Sequence, residues 1–202
     1  MTQAVADVQT ELQHALLARA QAGDRRALEA LWSEHRRWVA VVLLAHKPAS
    51  VDLEDLLQDV AMTLVARVAD VRDPACFKGW LRMVALNAAR AAGRSVSARS
   101  QLRLHRVDTD GVVVNESACC EVDRGSGHDD EAARVLGLVE RLPAEYREPL
   151  LLRSLNELTY RQIARLLELP ETTIETRIAR ARRMLRELAD TSDTATVSAV
   201  AR

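Results

Sequence analysis

Hydrophobic positions recur at helical spacing along most of this 202-residue chain, and they are most regular between Leu158 and Leu188. Tyr160, Ile163, Ala164 and Leu167 fall at i, i+3, i+4 and i+7, with Thr159 placed to cap the segment through its hydroxyl. Glu168 to Pro170 interrupts the pattern. The Pro170 ring presets φ for a helix start, and Glu171 follows where the helix dipole favours an acid. The pattern thus predicts two helices joined by a tight turn. At about 100° per residue, Ile174, Ile178, Ala181, Leu185 and Leu188 share one side of the second helix. Thr172, Thr176, Arg180 and Arg183 share the other, bordered by Thr173 and Arg177.

Upstream, residues 1–13 read as a loosely held lead-in, and 12–22 as a helix that stops at Gly23 with Asp24 capping the next. That next helix runs to about His46, with Leu28, Leu31, Trp32, Val39, Val42 and Leu43 as its core stripe. A loop at Pro48 follows. DLEDLLQDVAMTLVARV then starts with Asp52 as cap and turns Leu56, Leu57, Val60, Ala61, Leu64, Val65 and Val68 inward. After a second loop, FKGWLRMVALNAARAAGR places Phe77, Trp80, Leu81, Val84, Ala88 and Ala91 on one arc. Lys78, Arg82, Arg90 and Arg94 lie on the opposite arc, with Asn87 at its edge.

Periodicity fails over 95–131, which carries four Arg against eight Asp and Glu and reads as a flexible linker. It resumes through Val135, Leu138, Val139 and Leu142, and Pro143 opens a further helix to about Leu155, with Pro149 expected to kink or break it. The polar tail 190–202 is expected to fray. The fold class is all-α, with a helical unit over 12–94, the linker over 95–131 and a helix-turn-helix unit over 132–189.

Composition agrees with helix: seven Gly and five Pro are few for this length, and Ala, Leu, Arg and Glu dominate. The formal net charge of −1 excludes a wholly basic nucleic-acid coat, yet Arg177 to Arg186 holds five Arg and no acid. An Arg-rich amphipathic helix alone is a solvated face. Preceded by a cap, a scaffold helix and a short turn, it suits a DNA major groove: small hydroxyls allow close approach, and guanidinium groups bind guanine edges or phosphates. Asp52, Asp55 and Asp59 occupy one flank of their helix, either as a solvated surface or as a docking face for a basic partner.

Cys76, Cys119 and Cys120 form no disulfide framework and fit a reducing cytoplasm. The adjacent pair does not match zinc-ligand spacing even beside His105 and His128, so no metal or other cofactor is expected. His14, His35 and His46 are likewise scattered, and no phosphate loop or nucleophile elbow points to an enzyme or a small-molecule substrate. No apolar run is long enough to enter a membrane, and the first residues lack the basic and apolar regions of an export signal.

Several stretches together resemble a bacterial RNA polymerase sigma factor of the small extracytoplasmic-function type. ALLARAQAGDRRALEALW resembles the opening of its first domain, DLEDLLQDV its polymerase-binding helix, and FKGWLRMVALNAAR the helix beside the promoter −10 element. The stretch from Leu142 to Leu185 resembles the domain that reads the −35 element. The resemblance implies three sites. Asp52, Glu54, Asp55, Gln58 and Asp59 would dock on core RNA polymerase. The −10 strand would be met by Val71, Arg72 and Asp73 in the loop 71–76, which in the family captures a flipped base, and by Lys78, Arg82, Asn87, Arg90 and Arg94. Thr172, Thr173, Thr176, Arg177, Arg180 and Arg183 would read the −35 element in promoter DNA. An anti-sigma partner is implied by the same resemblance. The competing reading is a stand-alone regulator with a LuxR-like DNA-binding domain, which shares the helix-turn-helix but gives no role to the acidic helix.

Overall fold

Three side chains open three of the helices that frame this protein. The Asp24 carboxylate accepts from the Arg26 and Ala27 amides, Asp52 from Glu54 and Asp55, and the Thr159 hydroxyl from Gln162. The computed structural model describes the backbone of residues 2–110 and 127–200, with side chains over 11–99 and 134–191. Among the described residues there are eight α-helices and no strand. They are α1 (Thr2–Gln21), α2 (Arg25–His46), α3 (Leu53–Arg67), α4 (Phe77–Asp110), α5 (Gly127–Glu140), α6 (Ala144–Leu155), α7 (Tyr160–Leu167) and α8 (Glu171–Val200).

Gly23, at φ +87°, ends α1: its amide donates to Ala20 and that of Asp24 to Arg19, the paired closure that a left-handed residue permits. Glu168 closes α7 at φ 55° without glycine's freedom, and Leu169 donates back to the Ala164 carbonyl. Pro170 stands just outside α8, its carbonyl accepting from Thr173 and Ile174.

The helices extend further than the periodicity suggests. Helix α1 begins at Thr2, where a loose lead-in was expected, and α8 runs on through the expected fraying tail to Val200. Helix α4 continues to Asp110 and α5 starts at Gly127, so both ends of the expected linker are helical; no Gly or Pro interrupts 95–110, and extending a formed helix costs little. Residues 111–126, with Cys119 and Cys120, lie outside the described residues. The side chains of His105 and His128 do as well. Helix α6 passes through Pro149 as one element, although the ring removes the amide that the Glu145 carbonyl would otherwise accept.

Two apolar cores result. The first gathers Leu17 and Ala20 of α1, Leu31, Val39, Val42 and Leu43 of α2, Leu56, Val60 and Leu64 of α3, and Phe77, Leu81 and Ala85 of α4. The second gathers Val139, Leu142, Leu150 to Leu152, Ile163, Ile174, Ile178 and Ala181, together with Val41 and Ala45 from α2. Helix α2 therefore serves both cores, its run WVAVVLLA being apolar all round as an element buried on two sides must be. Val65 is a correction: it is 61% exposed, outside the face that α3 buries.

Candidate polymerase and promoter interfaces

The acidic segment divides by role. Asp52 is spent on its own helix, accepting from Glu54 N at 2.6 Å, while Glu54 takes both branches of a contact with Arg36 of α2 at 2.6 and 2.9 Å. Asp55, Gln58 and Asp59 stand exposed on the side of α3 away from Leu56, Leu57 and Val60. A row of carboxylates in high dielectric keeps its hydration until a basic surface arrives, so it steers a partner without costing the fold much.

The loop between α3 and α4 is held from α1. Gln21 donates its side-chain amide to the carbonyls of Val71, at 2.7 Å, and Val68, at 3.2 Å. Val71 itself is buried, so of the expected loop residues only Arg72 and Asp73 face outward. Asp73 accepts from Ala75 N at 2.9 Å and caps the short turn Pro74–Cys76. Cys76 donates to the same carboxylate at 3.5 Å, and that hydrogen bond pushes its thiol pKa up. Phe77 then enters the core with its ring edge-on to His35 at 5.2 Å and stacked near Trp80 at 6.1 Å, which gives Trp80 a packing role.

Helix α4 buries a wider arc than the wheel expected of it: Trp80, Val84 and Ala88 pack partly buried against the core, and the covered face continues past Leu81. Its buried positions are Phe77, Leu81, Ala85, Leu86 and Ala89, whereas Ala91 is exposed. The wider arc divides the expected basic face. Asn87, Arg90 and Arg94 stay together in solvent and Lys78 is exposed near the helix start, but Arg82 lies on the arc of Leu86 and Ala89. Its Nε donates to Glu148 Oε1 and its Nη2 to Oε2, both at 2.8 Å, and His46 Nε2 lies 2.9 Å from the same carboxylate. Burial alone would raise the Glu148 pKa; the hydrogen bonds from His46 and Arg82, and their charges, outweigh it and hold the carboxyl below its ordinary value. Neither Glu148 nor His46 was singled out from the sequence, though an acid inside the apolar run of α6, EPLLL, is a signal that a partner must exist.

In the helix-turn-helix, Thr159 and Gln162 form a reciprocal capping box that fixes the start of α7, and Ile163 and Ala164 pack it on α8. Ile174, Ile178 and Ala181 are buried, which turns Thr172, Thr176, Arg180 and Arg183 outward and leaves Thr173 and Arg177 half-buried at the border. The start of α6 supports this face: Glu145 lies 3.8 Å from Arg177, and the Tyr146 hydroxyl accepts from Arg180 at 3.4 Å. Arg183 pairs within its own helix with Glu187 at 3.6 Å.

Residues 31–99 match the family described as sigma-70 region 2, and residues 132–185 the family described as sigma-70, region 4. The chain belongs to the sigma-70 family, extracytoplasmic-function type. The ECF RNA polymerase sigma-E factor of Haemophilus influenzae is 28% identical over 186 residues, covering 85% of this chain and 92% of that protein. The sigma-E factor of Escherichia coli K12 is 26% identical over 178 residues, covering 83% and 88%. The solved structure of CnrH in complex with the cytosolic domain of CnrY shares the fold, with a TM-score of 0.59 at 24% identity over 88% of this chain and 96% of that one. As a sigma factor the protein binds core RNA polymerase and directs transcription initiation at promoter DNA. The region 2 match, which includes the acidic helix, does not favour a stand-alone LuxR-like regulator. No described helix is long and apolar enough to cross a membrane.

Proposed function

We propose that the sigma factor divides its work among three surfaces. The exposed part of α3, Asp55, Gln58 and Asp59, docks on a basic face of core polymerase, with Asp52 and Glu54 shaping the helix start. Arg72 and Asp73 of the loop, with Lys78, Asn87, Arg90 and Arg94 of α4, meet the −10 element, and Arg82 joins them once its carboxylate partner withdraws. Thr172, Thr173, Thr176, Arg177 and Arg180 read the −35 element, and Arg183 anchors the phosphate backbone. Val71 acts by seating the loop, since its side chain is buried. An anti-sigma factor holds the protein inactive; this is supported by the family resemblance, and CnrH, of like fold, is bound to the cytosolic domain of CnrY.

The observation that carries the reading is the exposed carboxylate row on α3, which lies inside the region 2 match and has no structural task in the core. Replacing Asp55 and Asp59 together by Lys tests it. Helicity by circular dichroism should be unchanged, while core affinity in a holoenzyme assembly assay should fall by roughly tenfold or more, as like charges meet at the contact. Unchanged assembly would remove α3 as the docking surface.

A further inference from the structure

The ion cluster of Arg82, Glu148 and His46 joins the two halves of the chain: Arg82 belongs to α4 and His46 to α2, whereas Glu148 comes from α6, 66 and 102 positions away. Glu148 is only 4% exposed, and Arg82 presents it both Nε and Nη2 in the planar fork with which guanidinium groups also grip phosphate. Around the cluster, Arg37 donates to the Leu155 carbonyl at 2.8 Å and Lys47 lies 3.6 Å from Glu140. The apolar part of the contact on α2 is formed by Val41 and Ala45 with Trp38 and Leu44 beside them.

This closed arrangement and promoter reading exclude each other. The −10 and −35 elements lie about 25 base pairs apart, or roughly 85 Å along duplex DNA. A compact chain of this length has a radius of gyration of about 17 Å, so both elements are reached only after α6 leaves α2 and α4. The same departure frees Arg82. A buried ion pair suits such a joint: it contributes little net stability while closed, and its hold collapses when one partner is removed.

We propose that Glu148 is an internal stand-in for a promoter phosphate, which in the free sigma factor occupies Arg82 and, with His46, latches the C-terminal half onto α2 and α4. The inference rests on assigning α4 to the −10 element. The latch makes the free chain self-masking: core polymerase and DNA must first part Glu148 from Arg82, and the guanidinium then exchanges a carboxylate for a phosphate.

The experiment uses the full chain without polymerase, measuring radius of gyration by small-angle scattering and affinity for a fluorescent −10 duplex with a single-stranded fork. Glu148→Gln should expand the protein, keep its helicity and bind the fork about tenfold more tightly, because the competent fraction rises. Adding Arg82→Gln to that variant should keep the expansion and abolish the gain. Unchanged dimensions and affinity in Glu148→Gln, or a gain that survives Arg82→Gln, overturn the latch. Should Glu148→Gln lose helicity, the rim variant Arg37→Ala, which removes an exposed contact and leaves no buried charge, takes its place; it must show expansion and tighter fork binding, and the absence of both overturns the proposal. Arg82→Gln in holoenzyme tests the underlying assignment separately: open complexes at wild-type levels would dismiss the −10 role of Arg82, while the scattering result speaks to the latch whatever DNA does.

Discussion

Arg180 reaches from the outer face of α8 to the Tyr146 hydroxyl at the start of α6, so α8, the helix proposed to read the −35 element, is braced by the helix that precedes the motif. A guanidinium held by a neighbouring hydroxyl enters a groove with fewer rotamers to lose. Arg180→Ala should relax preference at one or two −35 positions, at a cost of roughly 1 to 3 kcal/mol for the preferred base. Arg183, paired with Glu187 along its own helix, should behave as a backbone anchor. Its replacement by Ala should weaken all promoters about equally and lower the salt slope by about one contact. A promoter library assayed with core polymerase separates the two. If Arg183→Ala changes the −35 preference and Arg180→Ala does not, α8 is rotated in the groove relative to this assignment.

Gln21 holds the loop between α3 and α4, proposed to meet the −10 element, from about 50 residues away in sequence, through the Val68 and Val71 carbonyls. Gln21→Leu keeps the volume and removes both hydrogen bonds, which should cost about 1 to 3 kcal/mol in urea unfolding. It should also slow open-complex formation while leaving duplex −35 binding unchanged, measured on promoters differing only in the −10 element. Equal effects on the two elements would reduce Gln21 to a general stabiliser.

Stability should fall on mild acidification because of His35. Burial holds its pKa below the ordinary 6.5, against the opposing hydrogen bond to the Leu31 carbonyl and the charge of Glu34. The unfolded chain therefore binds the proton first as pH drops through 6.5. The contribution is complete above that pH and declines below it, by at most about 1.4 kcal/mol per pH unit. Glu148 acts lower: with its carboxyl pKa depressed below 4.5, its contribution is present above 4.5 and lost as pH falls further. Urea midpoints at pH 7.5 and 5.5 should differ in the wild type and differ less in His35→Phe; an identical difference would place the titration elsewhere.

Thr159→Ala should destabilise the C-terminal unit by about 0.5 to 2 kcal/mol, since the capping box loses its hydroxyl. Thr159→Asp should recover most of this, as an acid at a helix start serves the same amide. Thermal unfolding followed by circular dichroism provides the check, and equal loss in both variants would mean that the hydroxyl acts through some other contact.

Local chemistry explains what was legible in the sequence. Asp24, Asp52, Thr159 and Gly23 act through neighbours within a few residues, so the starts of α2, α3 and α7 and the end of α1 follow from the chain order. The outward set on α8 was legible because only one side of that helix is covered between Glu171 and Arg183. Helix α4 buries more than its expected arc because it has α3, α2 and α6 around it, and a single apolar arc cannot describe a helix covered on several sides. The partners of Arg82 were hidden for a related reason. Glu148 lies 66 positions away, and its pairing belongs to tertiary packing that periodicity does not encode.

The double duty of α2 has a consequence for synthesis of the protein. Its first face is covered by α1, α3 and α4, all near in sequence, but Val41 and Ala45 wait for α6, whose Glu148 lies 102 positions after His46. The first core can close only once Ala89 of α4 has been made, and Glu148 follows 59 positions later, a delay of roughly 3 to 12 s at ribosomal speeds of about 5 to 20 residues per second. Throughout it the nascent chain carries a folded N-terminal bundle with a bare apolar strip, the kind of surface on which chaperones and other unfinished chains settle. Translation rate across the codons for 90–148 therefore sets how long that strip stays open.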